Sequence, residues 1–366
     1  MLPRDLLESE WLEADGLFTN AVGLHQLARR SVDSTMRAAA ADGLASVYAL
    51  AGDLETARHW ATLAVAESEG PRRIAAQIGH SQILLKLARI TEAHAVLTDA
   101  VESAREIGSR FLEGRATAGL AAATQYLGRF EAAEALFTSA AAISEEVGDL
   151  SSVAEIYTDM PYLYVLSERW ADAERVLLRA LELQTLVGMR TRQALTMAIL
   201  GDVRSRLGDH DEALALIDAG LSLAEELEQP VSVGSCLVRR GEVELRKGWV
   251  GDAARSLDDG LAIGERLNIV WIRADASNGL GEVAVATGDC DTAVERFALA
   301  LELARAMGDP FETARAWRGL GDCAARGDND AEAIRCWGKA LAAYGKLGNP
   351  QADRLAGRIS ELRRAR

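Results

Sequence analysis

The chain has 366 residues, of which 49% are hydrophobic and 26% are charged, and its formal net charge is −15 at pH 7. This acidic balance offers no basic stripe for nucleic acid, so direct binding of DNA or RNA is not expected. No apolar run is long enough to span a bilayer, and the first residues carry no recognisable signal peptide. We therefore expect a cytoplasmic protein that does not contact membranes.

Small residues recur along nearly the whole chain with a period of 40 residues, after a first gap of 36. The column consists of Ala57, Ala93, Ala133, Ala173, Ala213, Ala253, Ala293 and Ala333. A second small-residue column follows seven positions later, at Ala64, Ala100, Ala140, Ala180, Gly220, Gly260, Ala300 and Ala340. A repeat of this length predicts a stacked array, in which small side chains allow two helices to approach closely.

Glycines mark the turns between the predicted helices. One set contains Gly52, Gly128, Gly208, Gly248 and Gly288, with Glu168 at the missing place and Gly327 one place early. The other contains Gly108, Gly148, Gly188, Gly308 and Gly348, with Glu228 and Asn268 in its gaps. Glycine at these places predicts left-handed helix C-caps, and Asp209 and Asp309 carry signals for helix starts. No stretch alternates as a strand does, so the sequence predicts an all-α fold.

The pattern resembles the tetratricopeptide repeat family. Leu280-Gly281, Gly288, Ala293, Phe297 and Ala300 match the family consensus, and Leu200-Gly201, Gly208, Ala213, Ile217 and Gly220 match it again. The resemblance implies a right-handed α-solenoid of about eight helix-turn-helix repeats. The unit is longer than the family's common length of about 34 residues. It is similar to the repeat domains of maltose-activator-type bacterial regulators and of Pins-like scaffolds.

The columns also divide the chain into three predicted regions. Residues 1–36 fit the repeat poorly and are expected to supply leading helices, while residues 37–349 form the solenoid. Residues 350–366 are predicted to be a capping helix with Leu355, Ile359 and Leu362 on one face.

The resemblance also implies a concave groove that is lined by the residue after each consensus glycine. These positions hold Gln82, Ala122, Tyr162, Asp202, Glu242, Glu282 and Asp322. The last four are acidic, which favours a ridge that attracts a Lys- or Arg-bearing partner. The alternative is that each acid pairs with an arginine of the same helices, such as Arg206, Arg246 or Arg318.

Repeat four is irregular because Pro161 lies inside its first helix. Proline removes a backbone donor and clashes with the preceding turn, so this helix is predicted to kink or break. Tyr157, Tyr162 and Tyr164 surround the proline. We expect Asp159 and Tyr162 to line a pocket there, and a tolerated kink without a pocket is the alternative.

The sequence carries no phosphate-binding loop, nucleophile motif or metal-ligand spacing, so we predict no catalytic residue, metal site or cofactor. The favoured function is a non-catalytic scaffold in bacterial regulation, whose groove binds a protein or peptide segment, of basic character if the acidic ridge binds it. One alternative is a ligand-sensing domain of an ATP-dependent transcriptional regulator with a small-molecule effector. An enzyme that uses Asp159, Asp202 and Glu242 as acid–base residues is less favoured. The oligomeric state stays open.

Overall fold

The computed structural model describes residues 33–364, and this part of the chain contains helices and turns but no strand. The predicted all-α fold is confirmed, and the leading helices expected within residues 1–36 lie almost wholly outside the described residues. The described helices are α1 Ser34–Leu50, α2 Leu54–Glu67, α3 Gly70–Lys86, α4 Ile90–Glu106, α5 Arg110–Tyr126, α6 Phe130–Glu146, α7 Leu150–Asp159, α8 Pro161–Leu166, α9 Trp170–Val187, α10 Arg190–Leu207, α11 His210–Glu226, α12 Pro230–Arg246, α13 Val250–Arg266, α14 Val270–Thr287, α15 Cys290–Met307, α16 Pro310–Arg326, α17 Asp330–Lys346 and α18 Gln351–Arg364.

The helices pack as eight consecutive pairs followed by α18. The first helices of the pairs are α1, α3, α5, the broken helix α7–α8, α10, α12, α14 and α16. The second helices are α2, α4, α6, α9, α11, α13, α15 and α17. Each second helix carries one residue of the alanine column, and all eight alanines are 0% exposed. None of the helices within residues 33–364 is both long and apolar enough to cross a membrane.

The close approach within a pair explains the small residues. A Cβ on Gly201 of α10 would lie 2.5 Å from the Ile217 side chain and 2.7 Å from the carbonyl oxygen of Ala213. A Cβ on Gly281 of α14 would lie 2.7 Å from the Phe297 ring. The glycine of the first helix thus leaves room for the bulky side chain of the second helix. Any larger residue in place of this glycine would overpack the contact.

Residues in the left-handed backbone conformation follow the helices at the repeat interval, whether or not they are glycine. Ala88, Glu168, Glu228 and Asn268 occupy the places that lack glycine, and each has φ between 52° and 56°. The interpretation of Gly327 as the turn residue is wrong. Asp328 takes the left-handed conformation with φ 54°, whereas Gly327 has φ −87°. The periodic feature is therefore a backbone conformation, which glycine adopts most easily.

The helix of repeat four breaks where proline predicts it. Helix α7 ends at Asp159, and α8 begins at Pro161 after the single residue Met160.

The two aspartates predicted to begin helices, Asp309 and Asp209, have different outcomes. Asp309 accepts hydrogen bonds from the backbone N–H groups of Phe311 and Glu312, at 2.8 and 3.0 Å. Asp209 precedes α11, but its side chain makes no capping hydrogen bond.

The chain divides into two compact units between Ile156 and Tyr157. In the first unit, Leu44 and Leu97 are 0% exposed and belong to two separate apolar clusters. In the second unit, Ile217, Leu257 and Phe297 belong to successive apolar clusters. Helix α18 packs on α17 through the apolar face predicted for the cap, with Leu355 1% and Ile359 8% exposed.

Candidate functional site

Within the unit that begins at Tyr157, the first helices of successive repeats surround a cavity of about 390 Å³. Its wall combines aromatic and apolar side chains with many charged ones. The apolar and polar uncharged residues are Thr158, Pro161, Tyr162, Val165, Leu166, Trp170, Ile199, Leu245, Trp271, Met307, Phe311, Tyr344, Asn349 and Gln351. The acids are Glu168, Asp202, Glu242, Asp275, Glu282, Asp309 and Glu312, and the arginines are Arg206, Arg239, Arg246, Arg315 and Arg318.

Four of the six predicted site residues line this cavity, namely Tyr162, Asp202, Glu242 and Glu282. The other two predicted residues, Asp159 and Asp322, do not line the cavity. Asp159 is exposed at the end of α7, just before the helix breaks. Asp322 accepts a hydrogen bond from Trp337 Nε1 at 3.0 Å and pairs with Arg358 of α18 at 2.7 Å, so the capping helix covers it.

The acids at the predicted groove positions are ion-paired rather than free. Asp202 is 5% exposed and accepts from the guanidinium groups of Arg246 and Arg206, the second at 3.2 Å. Glu242 is 4% exposed and lies 2.9 Å from Arg239 and 2.6 Å from Arg315. The contacts thus correspond to the paired alternative, and a free acidic ridge is not present.

The ion pairs lower the pKa values of these carboxyl groups. Burial alone would raise the pKa of Glu282, but Arg315 and Arg318 outweigh it and hold that pKa at about 2. Arginines likewise outweigh burial at Asp202 and Glu242, where the pKa is also lowered. Both therefore stay ionised and hydrogen-bonded, which is unsuited to the acid–base role considered for them.

Arg315, which was not among the residues predicted from the sequence, connects three helices of the cavity wall. Arg315 of α16 is 7% exposed and contacts Glu242 and Asp275 of the two preceding first helices at 2.6 and 2.9 Å. It also donates Nε and Nη2 to the two oxygens of Glu282, at 3.1 and 3.2 Å. Asp275 and Arg315 occupy the same repeat position, so opposite charges one period apart were a signal for this contact.

Glu312 has an unusual environment beside this arginine. It is 9% exposed, accepts from Asn278 Nδ2 at 2.7 Å, and lies 3.6 Å from Arg315. Burial and the charge of Asp275 raise the pKa of Glu312 to about 8. Burial also raises the pKa of Asp309, despite its two backbone hydrogen bonds. The carboxyl group of Glu312 is therefore mainly protonated at neutral pH.

Aromatic rings occupy the same end of the cavity. Trp271, at the start of α14, is 41% exposed. Phe311 takes the same place at the start of α16, and its ring meets Tyr344 edge-on at 6.0 Å between centroids. Trp170 also lines the cavity, with the Arg206 guanidinium 4.9 Å from its ring. Trp337, in contrast, is 3% exposed and belongs to the core.

The cavity is closed by a contact between its first and last elements. Asn349 is 3% exposed and donates Nδ2 to the carbonyl oxygen of Leu166 at 2.6 Å. Glu168 accepts from Gln351 Nε2 at 3.0 Å and from Arg354 Nη1 and Nη2 at 3.1 and 2.6 Å. We call these five residues the closing contact. They join α8 to α18, which are more than 180 residues apart, and four of them line the cavity.

Other chemical arrangements are weak in the described part of the chain. Within residues 33–364, no three His, Cys, Asp or Glu side chains are placed to hold a metal ion. Cys236, Cys290, Cys323 and Cys336 are free, and all but Cys290 are buried. Ser205 Oγ lies 2.9 Å from His210 Nδ1 but is 2% exposed and also accepts from Arg246 Nε, so this pair serves packing.

Known proteins share both the repeat and the fold. Residues 272–351 match the tetratricopeptide repeat family model. Regulatory protein AfsR of Streptomyces griseus is 25% identical over 303 residues, which are 81% of this chain and 30% of that protein. The chain thus spans less than a third of the length of this relative.

Two solved structures show the same fold at low sequence identity. The Rap conjugation gene regulator of plasmid pLS20, solved in complex with the Phr* peptide, has a TM-score of 0.62 and 14% identity, covering 75% of this chain and 76% of that one. A signal transduction ATPase with numerous domains from Pyrococcus horikoshii carries a tetratricopeptide repeat sensor. It has a TM-score of 0.58 and 14% identity, covering 99% of this chain and 56% of that one. Residues 272–351 thus match the tetratricopeptide repeat, and the described part of the chain has the same helix-paired fold as these two structures, with a 40-residue register.

Proposed function

We propose that the unit from Tyr157 onward is a non-catalytic binding module that holds a short peptide segment in its cavity and serves a larger regulatory protein. The cavity itself is the observation that carries this proposal. Equivalent positions of successive first helices form its wall, and the closing contact completes it. Its volume of about 390 Å³ lies in the usual range for ligand sites. That size suits a few residues of peptide rather than a long extended chain.

The chemistry of the wall supports a peptide. A guanidinium group has five N–H donors and a carboxylate accepts more than one hydrogen bond, so Arg239 and Glu242 can each bind a peptide backbone in addition to their ion pair. Trp271 and Tyr162 are 41% and 39% exposed at the wall and offer apolar surface to side chains. The Rap regulator of plasmid pLS20 binds the Phr* peptide with the same fold, which supports a peptide ligand here as well.

A small-molecule sensor is the second candidate function of the same site. The similarity to regulatory protein AfsR extends over 81% of this chain, which favours a regulatory role whatever the ligand. A compact effector would fill a cavity of this volume as well as a tripeptide or tetrapeptide would. The two candidates differ in ligand class and are separated by one screen.

The screen measures thermal shifts of the full chain with pools of random pentapeptides and, in parallel, with pools of small metabolites. Hits are titrated by calorimetry against Trp271→Ala and Trp249→Ala. These tryptophans are 41% and 46% exposed, but only Trp271 lines the cavity. We expect a pentapeptide whose affinity falls about tenfold or more in Trp271→Ala and is unchanged in Trp249→Ala. Shifts with metabolites alone would favour the sensor, and equal binding by both variants would place the ligand elsewhere.

A further inference from the structure

The buried charges around Arg315 do not balance. Apart from Glu168, which pairs with Arg354, six carboxylates of the cavity wall share five guanidinium groups: Asp202, Glu242, Asp275, Glu282, Asp309 and Glu312 against Arg206, Arg239, Arg246, Arg315 and Arg318. Glu312 has the longest of these ion pairs, at 3.6 Å from Arg315. One carboxylate is therefore in excess, and because the pKa of Glu312 is raised to about 8, a proton on Glu312 compensates it at neutral pH.

A second carboxylate lies beside Glu312. Asp309 lines the cavity and accepts the backbone N–H groups of Phe311 and Glu312. In residues 33–364, the ion pairs of the unit include no cation for Asp309, whose contacts are these neutral donors. Asp309 and Glu312 thus form two neighbouring acidic groups with little cationic compensation.

A buried acceptor without a donor lies in the same region. Asn278 is 0% exposed and donates to Glu312, while its Oδ1 atom accepts no hydrogen bond. A buried acceptor of this kind is costly, and it lies on the side chain that donates to Glu312.

Aromatic rings complete this end of the cavity. Trp271 and Phe311 occupy equivalent places on α14 and α16, and Tyr344 contacts Phe311. The faces of such rings carry negative charge and attract cations, most strongly where water is excluded. The rings and the carboxylates at this end of the cavity both favour a cationic ligand group.

We infer that the end of the cavity formed by Asp309, Phe311, Glu312 and Trp271 binds a cationic group of the ligand, either a primary ammonium or a guanidinium group. The inference rests on the proposed function, because it assigns one chemical group of the peptide to one end of that cavity. The cation donates N–H groups to Asp309 and Glu312 and takes the place of the proton that otherwise compensates the excess carboxylate. It differs from the predicted acidic ridge, whose carboxylates already have arginine partners.

Two small probes test this inference on the full chain. Nα-acetyl-lysine amide and Nα-acetyl-norleucine amide differ in the ammonium group, and ligand-observed NMR gives both dissociation constants. We expect the lysine probe to bind about fivefold tighter or more. The preference is lost in Glu312→Gln and in Asp309→Asn, which keeps a capping side chain. It persists in the control Glu302→Gln, which changes an exposed acid of α15.

The pH dependence of the lysine probe adds a second readout. Glu312 has a raised pKa of about 8 and must ionise to receive a cation, so affinity rises roughly 20-fold between pH 6.5 and 8.5. The groups around Glu312 are Asp275 and Asn278 of α14, Arg239 of α12, Arg315 and Asp309 at α16, and Tyr344 of α17. The norleucine probe should show no such rise.

Equal affinity for both probes, or an unchanged preference in a folded Glu312→Gln protein, would overturn the inference. Melting curves of both variants establish folding, and Asp309→Asn decides the question if Glu312→Gln does not fold. If the probes bind equally but a pentapeptide from the screen still binds, the proposed function stands and the cation site falls. If the lysine probe is preferred and no pentapeptide binds, the cation site stands and the peptide function falls.

Discussion

Arg354 of α18 and Glu168, in the turn after α8, lie 186 residues apart and form an ion pair with 2.6 Å between Nη2 and Oε2. Glu168 also has φ 54°, in a turn column where five other repeats carry left-handed glycine. A left-handed L-residue costs about 1–2 kcal/mol. Glutamate at this place is therefore explained by the closing contact and not by the turn.

Glu228 provides the matched comparison, because it has φ 52° and no role in the closing contact. We expect Glu228→Gly to raise the free energy of unfolding by about 0.5–1 kcal/mol, because glycine removes the backbone strain. Glu168→Gly removes the same strain but loses the bonds from Gln351 and Arg354, so we expect no gain or a loss. Urea unfolding followed by circular dichroism measures both. Equal gains would show that the closing contact contributes nothing to stability.

Close helix approach gives a second prediction. A Cβ on Gly241 of α12 would lie 2.6 Å from Leu257 and 3.0 Å from the carbonyl oxygen of Ala253, whereas a Cβ on Gly338 of α17 would meet nothing within 4 Å. We expect Gly241→Ala to lower the free energy of unfolding by roughly 1–3 kcal/mol through overpacking. Gly338→Ala should raise it by up to about 1 kcal/mol through helix propensity. A stabilised Gly241→Ala protein would refute the packing account.

The two shifted glutamates predict opposite effects of pH on stability. The pKa of Glu312 is raised from 4.5 to about 8, so unfolding releases a proton between these values and stability falls as pH rises through that window. The pKa of Glu282 is lowered to about 2, so its contribution is present above pH 4.5 and is lost as pH falls towards 2. Each group changes the free energy by at most about 1.4 kcal/mol per pH unit.

Glu312→Gln should therefore flatten the decline in stability on the alkaline side, and Glu282→Gln should flatten the loss on the acidic side. Melting temperatures between pH 3 and 9 check both slopes. A native profile that rises from pH 5 to 8 would contradict the protonated state assigned to Glu312.

Arg315 gives a fourth prediction, since it compensates several buried acids at once. Arg315→Gln leaves Glu242, Asp275 and Glu282 with fewer cations, and removing one partner of a buried pair costs about 3–5 kcal/mol. The loss should be smaller at pH 5 than at pH 8.5, because the pKa values of Asp275 and Glu312 are raised and protonation relieves the repulsion.

Arg255→Gln is the control for this loss. The Arg255 side chain is 75% exposed, and its pair with Asp252 lies at the surface. Surface pairs contribute about 0–1 kcal/mol, so this variant should melt close to the native chain. Similar melting of the two variants would mean that the network around Arg315 does not stabilise the unit.

The fold was predictable because it depends on spacing along the sequence. The alanine column marks the sites of closest approach, and Pro161 marks the helix break, so neighbours in sequence determine both features. Asp328 shows the limit of this reasoning, since the turn conformation is set by helix length and not by the glycine one place before it.

The candidate site was less predictable, because its contacts join repeats. Tyr162, Asp202, Glu242 and Glu282 could be placed at the wall from the register. Whether those acids are free depends on Arg246 and Arg315, which belong to later helices and reach back to them. The contact that covers Asp322 comes from Arg358 of α18, a helix that follows the last repeat and lies outside the register.

The closing contact also limits how this unit can change in evolution. Open repeat arrays tolerate the gain or loss of a unit, because each repeat contacts only its neighbours. Here the insertion or deletion of one unit between α9 and α17 would move Asn349 and Arg354 away from Leu166 and Glu168. Duplication of a repeat, which is the usual route to a longer array, is therefore incompatible with keeping this unit closed.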